Sequence, residues 1–203
     1  MSAALVVLAH PRGDSLTAQL ARRAVARLEA DGHTVDVLDL HAEGFDPRMG
    51  TEDEPDWSDP DKEYSAETRA HMDRIAAAEI LVVVFPLWWF GLPAILKGWI
   101  DRVWNNGFAY GLRTPLLKGK RMVWIPLVSY PEAKFKELGW DGPVDEPSAA
   151  GWKGRPASLG TTTDAAGIGV RGHPGCSMVR QANSRLPASS ATGSVPASST
   201  RPW

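Results

Sequence analysis

The sequence predicts an α/β protein in which helices cover both faces of a parallel β-sheet. Four strand-like runs alternate with three helical patterns, and this order gives parallel strands joined by right-handed crossovers. The runs at 4–9 and 79–85 are apolar at nearly every position, which is typical of strands buried on both faces. With 203 residues and 43% apolar content, the chain can form one domain with a substantial core.

The predicted elements have recognisable boundaries. The first helical pattern has leucine and alanine at helical spacing and ends at Asp31-Gly32, a common helix stop. Ser65 and Thr68 are candidate caps of the second helix. The predicted strands are 4–9, 34–40, 79–85 and 121–128, and the predicted helices are 15–30, 65–78 and 93–105. The acidic connection at 42–64 is longer than most loops of compact domains, so we expect it to be functional or mobile.

The composition excludes several classes of function. A net charge of −2 gives no general attraction to nucleic acid or to anionic membranes. The single cysteine, Cys176, excludes an internal disulfide framework and a cysteine metal site. No apolar stretch has the length of a membrane span, and the first residues lack the features of a secretory signal. We therefore expect a cytoplasmic protein with no membrane insertion, no nucleic-acid partner and no metal.

The chain changes character near Pro147. From 147 to 203, six lysines and arginines accompany a single acidic residue, Asp164, and small or polar residues dominate. Such a composition buries too little apolar surface to offset the entropy of ordering. We therefore interpret 1–146 as the folded domain and 147–203 as a low-complexity, disordered tail. Within the tail, GIGVRG at 167–172 fits a dinucleotide-binding pattern, but no strand precedes it and we interpret the match as chance.

An aromatic loop follows the third predicted strand. Trp88, Trp89 and Phe90 lie there among prolines and glycines, at the carboxyl end of the strand. Ligands of open α/β sheets bind at this edge, and contiguous exposed rings are uncommon on monomers, so the loop could wall a flat aromatic cofactor. On the local pattern alone, a role in the core or in a subunit interface explains the rings equally well.

The turn after the first strand is a candidate phosphate site. His10 closes the strand, and Ser15 and Thr17 lie at the start of the first helix, where free N–H groups and the helix dipole attract anions. The alternative, that Asp14 or Ser15 is a simple N-cap, explains those two residues equally well but does not explain His10. The remaining histidines are scattered, and we interpret them as surface residues: His33, His41, His71 and His173.

Three segments resemble one known family. FPLWWFGLPAILKGWIDRVWNNGFAYG at 85–111, AHPRGDSLTAQL at 9–20 and DLHAEGFDP at 39–47 are similar to the flavodoxin-fold NAD(P)H:quinone oxidoreductases, a group that includes mammalian quinone reductases and bacterial potassium-efflux ancillary proteins. The resemblance covers 1 to about 145. It implies a flavodoxin-like three-layer α/β/α fold with strand order 2-1-3-4-5. We recognise no fifth strand and no closing helix in 147–203, and we expect both to be missing.

The resemblance also implies residue roles around a flavin. Trp89 and Phe90 would form the floor where nicotinamide and quinone alternate. Tyr110 would close that pocket across a dimer interface, although a plain packing role fits it as well. Asp101 corresponds to a carboxylate near the ribose, unless it simply pairs with Lys97 one helical turn away. The positions that correspond to flavin contacts are His10, Ser15, Leu16, Thr17, Pro86, Leu87, Trp88, Trp89, Phe90, Asp101, Ser129 and Tyr130.

The activity implied by the resemblance is two-electron transfer from NAD(P)H to quinones or similar acceptors. The cofactor would be FAD, or FMN, in a homodimer that works by a ping-pong hydride mechanism. Two alternatives stay open: a flavin-binding regulatory module of a membrane transporter, and a non-functional product. The second alternative follows from the abrupt loss of resemblance and of acidic residues near Glu146, which motivates the hypothesis that the chain leaves its reading frame there.

Overall fold

The computed structural model describes residues 1–59, 61–110 and 116–139, and three short strands of the C-terminal part. The strands of the main sheet are β1 Ala3–Leu8, β2 Thr34–Asp39, β3 Ile80–Pro86 and β4 Arg121–Val128. The helices are α1 Leu16–Ala30, α2 Ala66–Ala77, α3 Ala94–Val103 and α4 Glu132–Glu137. The short strands are β5 Thr162–Thr163, β6 Ser177–Met178 and β7 Ala182–Arg185. The α/β alternation predicted from the sequence is confirmed.

The four long strands form a parallel sheet in the predicted order β2-β1-β3-β4. Val6 at the centre of β1 lies opposite Val37 of β2 and Val82 of β3. The short strands β6 and β7 pair with β4 in antiparallel orientation, and β5 pairs with β7. Within the described ranges, no parallel fifth strand follows β4. Most of 147–203, including GIGVRG, His173 and Cys176, lies outside the described residues.

The sheet separates two apolar layers because successive strand residues point to opposite faces. On one face, Val6 and Val82 pack with Leu20 and Ala24 of α1. On the other face, the strands pack with α2 and α3, and Trp99 of α3 is the largest fully buried side chain among the described residues. Each fully buried large apolar side chain stabilises the fold by about 1.5–3 kcal/mol, so these two layers hold α1, α2 and α3 in fixed positions around the sheet.

The helix boundaries follow from specific caps. The Ser15 Oγ accepts a hydrogen bond from the Ala18 N–H at 3.1 Å and begins α1. The Ser65 Oγ accepts from the Thr68 N–H at 3.2 Å and begins α2, as predicted. Gly32, with φ of +84°, follows α1 in the left-handed conformation that glycine adopts without steric cost. Both serines therefore fix helices that start at the carboxyl edge of the sheet.

Candidate functional site

Three candidate segments meet at the carboxyl edge of the sheet. The Ala9 N–H donates to the Val84 carbonyl at 3.0 Å, so the chain just before His10 runs beside the end of β3. The Leu87 N–H donates to the Leu127 carbonyl at 2.7 Å, which ties the aromatic loop to the end of β4. Ser129 and Tyr130 follow β4 directly and are exposed there. Because parallel strands end together, the phosphate-site candidate, the aromatic loop and the Ser129–Tyr130 segment all lie at the carboxyl edge of the sheet.

The aromatic loop is a tight turn with unusual backbone geometry. Trp88 and Gly91 exchange two backbone hydrogen bonds, of 3.2 and 2.9 Å, and enclose Trp89 and Phe90. Trp89 has φ of +50° and Phe90 has φ of +61°, a conformation that is rare for bulky side chains and costs about 1–2 kcal/mol per residue. Trp89 is 96% exposed and Phe90 is 37% exposed. The turn thus stores strain while it holds large apolar rings in solvent, a combination that is typical of binding sites.

His10 connects the turn to the phosphate-site candidate. Its ring lies 6.2 Å from the Trp88 ring, with an interplanar angle of 59°. The Nδ1 atom accepts the Arg12 backbone N–H at 3.0 Å, which leaves the proton of the neutral ring on Nε2. Burial lowers the pKa of His10 below its ordinary value, and the positive charge of Arg12 acts in the same direction. His10 is therefore a neutral donor through Nε2 at the edge of the sheet.

The start of α1 presents backbone donors beside His10. Ser15 uses its Oγ as the N-cap, which confirms the simple capping role that the sequence left open. The N–H groups of Leu16 and Thr17 precede the first intrahelical hydrogen bond, in which the Gln19 N–H donates to the Ser15 carbonyl. The Arg22 side chain donates to the Gly13 carbonyl at 3.0 Å and fixes the loop. These donors and the helix dipole suit an anion such as a phosphate group.

Asp101 lies on α3 with its carboxylate turned to a neighbouring cation. Lys97 Nζ donates to its Oδ2 at 2.6 Å, and both side chains are substantially exposed. The structure therefore has the (i, i+4) ion pair that the sequence offered as the alternative. An exposed pair of this kind contributes at most about 1 kcal/mol, so the carboxylate could exchange Lys97 for a ligand hydroxyl at little cost.

Tyr110 lies beyond the far end of α3. Its ring packs against Trp57 of the acidic connection, with 5.4 Å between ring centroids and an interplanar angle of 34°. Tyr110 also packs against the core below it, whereas Trp57 is 70% exposed. Tyr110 follows α3 by seven residues, whereas the Trp88–Gly91 turn precedes that helix.

Asp53 and Arg102 form a buried ion pair that the sequence reasoning missed. The Asp53 carboxylate is fully buried and accepts from Arg102 Nε at 3.0 Å and Nη2 at 2.8 Å. It also accepts from the Ser65 N–H at 2.9 Å and from the Thr68 hydroxyl at 2.9 Å. Burial alone would raise the pKa of Asp53, but these hydrogen bonds outweigh burial and lower it. The pair anchors the acidic connection between α2 and α3, so this part of the connection is held firmly.

A sequence signal for this anchor existed. Arg102 lies three residues after Trp99 and four after Gly98, and therefore on the buried face of α3. A Cβ at Gly98 would overlap Pro47 of the connection, which shows how closely the two segments pack. A charged residue on an apolar helix face needs a buried partner, and the acidic connection was the obvious source of one.

The interpretation of His71 as a surface residue was wrong. His71 is 7% exposed, and its Nδ1 accepts the Trp99 indole N–H at 3.1 Å. Burial lowers the pKa of His71, so the ring is neutral in the core. Histidine sits readily at the boundary of an apolar layer when one ring nitrogen is hydrogen-bonded, and the helical spacing of Thr68, Met72 and Ile75 places position 71 on the buried face of α2.

Among the described residues, no group of three or more potential ligands could hold a metal ion.

Comparison with known proteins identifies the family. The family model described as "Flavodoxin-like fold" matches residues 2–150. An NAD(P)H oxidoreductase of Escherichia coli, YcaK, is 45% identical over 141 residues, which cover 70% of this chain and 71% of YcaK. The chain belongs to the flavodoxin-fold NAD(P)H:quinone oxidoreductase family. Members of this family are oxidoreductases, and the chain is one of them.

Two more relatives show how far the family match extends. Human ribosyldihydronicotinamide dehydrogenase [quinone] is 35% identical over 135 residues, which cover 57% of this chain and 58% of the human enzyme. The crystallised NAD(P)H:quinone oxidoreductase of Methanothermobacter marburgensis shares the fold, with a TM-score of 0.65, 24% identity, and coverage of 74% of this chain and 75% of that one.

In the described residues of our chain, no helix is long and apolar enough to cross a membrane.

Proposed function

We propose that this oxidoreductase transfers two electrons from NAD(P)H to a quinone or a similar flat acceptor through a bound flavin. The observation that carries the proposal is the strained turn at Trp88–Gly91. It exposes Trp89 almost fully and holds Phe90 beside it at the carboxyl edge of the sheet, where ligands of open α/β folds bind. A flat ring system laid on these side chains would remove their apolar faces from water.

The residues around the turn suit the two parts of a flavin nucleotide. Pro86, Leu87 and the Trp88–Phe90 turn provide an apolar wall for the ring system, and the N–H groups of Leu16 and Thr17 provide donors for the phosphate. His10 lies beside Trp88, and its Nε2–H could donate to the ligand. Ser129 and Tyr130 would approach the ring from the end of β4. FAD is favoured over FMN only through the family resemblance.

The cofactor supplies the redox chemistry when bound, because a flavin accepts a hydride from a nicotinamide and returns two electrons to a quinone. The chain's own residues would bind and orient the flavin and the substrate, and would exclude water from them. The aromatic turn holds a ring-shaped substrate flat, and the hydrogen bond between the Leu87 N–H and the Leu127 carbonyl keeps the turn in place. Donor and acceptor would occupy the same surface in turn, which is a ping-pong cycle.

Several finer features belong to the same proposal. We propose a homodimer in which Tyr110 lies near the acceptor of the other copy, as the family resemblance implies. Asp101 would hold a ribose hydroxyl after exchanging Lys97 for it. The family domain would end near Glu146, which agrees with a family match that ends at residue 150.

Steady-state kinetics with a naphthoquinone tests the proposal. The wild-type protein should oxidise NADH or NADPH in a quinone-dependent reaction, with parallel double-reciprocal plots. Trp89→Ala should lower kcat/KM about fivefold or more, because a stacked ring contributes about 1 kcal/mol or more. Val37→Ala is the matched control, since Val37 is an exposed apolar residue on the edge strand β2.

The outcomes separate the alternatives. A bound flavin that NAD(P)H reduces and no quinone reoxidises would favour the transporter-module alternative and would refute the enzyme proposal. A folded protein without flavin and without activity would favour a non-functional product. Equal rates for Trp89→Ala and the wild type would show that the turn is not the site.

A further inference from the structure

Two polar side chains of α1 reach back to the loop that joins β1 to α1. Arg22 Nη1 donates to the Gly13 carbonyl at 3.0 Å, and Gln19 Nε2 donates to the Asp14 carbonyl at 3.2 Å. Gln19 and Arg22 are three residues apart and therefore lie on one face of the helix. Helical side chains point toward the N-terminus of their helix, which directs this pair to the loop. We call these two hydrogen bonds the loop clamps.

The loop clamps complete a set of occupied carbonyl groups. The Arg12 carbonyl accepts the Ser15 N–H at 3.2 Å, and the Ser15 carbonyl accepts the Gln19 N–H at 3.0 Å. Together with the loop clamps, every carbonyl from residue 12 to residue 15 accepts a hydrogen bond within the chain. The negative ends of these peptide dipoles thus point to internal donors, whereas an anion at the start of α1 needs the positive N–H ends.

The acidic side chain of the loop is also paired. Arg12 Nε donates to Asp14 Oδ1 at 3.0 Å, and Arg12 Nη2 donates to Asp14 Oδ2 at 2.9 Å. These hydrogen bonds lower the pKa of Asp14, so the carboxylate is ionised and is balanced by the guanidinium. The two opposite charges of the loop cancel. The attraction of this loop for an anion therefore depends on how its backbone dipoles are directed.

We propose that Gln19 and Arg22 are positioning residues for the phosphate of the bound flavin. They hold two loop carbonyls in internal hydrogen bonds, so that these oxygens cannot turn toward a phosphate held by the N–H groups of Leu16 and Thr17. The loop is set before the ligand arrives, and binding does not have to order it. The inference rests on the proposed flavin site and assigns to it two residues that do not themselves touch the ligand.

Titration with flavins that differ in their phosphates gives the first test. Gln19→Ala and Arg22→Ala should each raise the Kd for FMN and for FAD about fivefold, and leave the Kd for riboflavin unchanged. Arg22→Lys should recover most of the loss, because a lysine can donate to the same carbonyl. Arg23→Ala is the matched control, since it removes the same charge from the neighbouring exposed position of α1 and should bind all three flavins as the wild type does.

The salt dependence of FMN binding separates positioning from simple charge attraction. Gln19 is uncharged, so the loss in Gln19→Ala should have the same size at low and at high salt. A long-range attraction between the Arg22 guanidinium and the phosphate would instead weaken as salt is added. Equal losses for Arg22→Ala and Arg23→Ala, with none for Gln19→Ala, would show charge attraction and would overturn the inference.

The remaining outcomes separate the inference from the proposed function. Circular dichroism should show every variant folded, because the changed side chains are exposed. Unchanged FMN and FAD binding in Gln19→Ala and Arg22→Ala, or equal losses for FMN and riboflavin, would overturn the inference and leave the flavin site standing. A rise confined to the KM for NAD(P)H would place a nicotinamide nucleotide at the loop and would overturn it too. A folded wild-type protein that binds none of the three flavins would instead refute the proposed function.

Discussion

Removal of the Asp53 carboxylate should destabilise the domain far more than removal of an exposed carboxylate in the same connection. Arg102 is only 5% exposed, and Asp53→Ala removes one of the two carboxylates that pair with it. The other carboxylate, that of Glu67, remains 2.8 Å from the Arg102 guanidinium. Breaking a buried ion pair costs about 3–5 kcal/mol. Because Glu67 is retained, we expect the lower end of that range, about 3 kcal/mol.

Asp46→Ala is the matched control. It is the same chemical change in the same connection, and Asp46 pairs with Arg48, which is 86% exposed. An exposed pair of this kind contributes about 0–1 kcal/mol. Urea unfolding at neutral pH, followed by circular dichroism, gives both free energies. Equal losses for the two variants would refute the anchoring role of Asp53.

The same anchor predicts an acid dependence. The pKa of Asp53 is lowered in the folded protein, so its contribution to stability is complete above the ordinary pKa of an aspartate and is lost as the pH falls through the folded value. The wild type should therefore lose more stability on acidification than Asp53→Ala does. A parallel loss in both proteins over the acid range would contradict the assignment.

Three further changes test other parts of the structure. Gly98→Ala should destabilise α3 by about 1–3 kcal/mol, because the new methyl overlaps Pro47; stabilisation, as expected at an open helical glycine, would contradict the packing. Burial lowers the pKa of His71, so the free energy of unfolding of the wild type should fall as the pH drops below about 6.5. His71→Gln keeps an acceptor for the Trp99 N–H but does not titrate, so urea unfolding at several pH values should show a weaker pH dependence for this variant. Trp89→Gly should relieve the left-handed backbone and leave stability unchanged or raised by up to about 1 kcal/mol, while flavin binding weakens; a large loss of stability would show that the ring supports the fold.

The sequence was sufficient for the fold because the determining signals are local. The apolar run of β3 and the cap at Ser65 depend on neighbours within a few residues, and both are confirmed. The parallel orientation of β1 to β4 follows from the alternation of strands and helices, whereas the order β2-β1-β3-β4 was implied by the family resemblance.

The candidate site was only partly predictable. The turn at His10 and the aromatic loop could be placed at one edge because parallel strands end together, and the structure brings His10 next to Trp88. The left-handed backbone of Trp89 and Phe90 could not be predicted, because such turns normally carry glycine or asparagine. The pairing of Trp57 with Tyr110 joins residues far apart in sequence, and no local pattern encodes it.

The buried polar groups were missed for a related reason. Asp53 has no helical or strand periodicity around it, and its partner Arg102 lies 49 residues away. His71 lies on the buried face that the helical spacing of α2 defines, but its hydrogen-bond partner, Trp99, belongs to a different helix. Such contacts depend on the three-dimensional packing of α2, α3 and the acidic connection.

The central claim is that the strained turn at Trp88–Gly91 forms one wall of a flavin site, and flavin retention tests it most directly. The purified wild-type protein, incubated with FAD and passed through gel filtration, should carry roughly one flavin per chain by its visible absorbance. Trp89→Ala should lose most of this flavin, whereas Val37→Ala should retain it, with circular dichroism showing all three proteins folded. A folded wild-type protein that elutes without flavin after incubation with FAD, and again after incubation with FMN, would contradict the account.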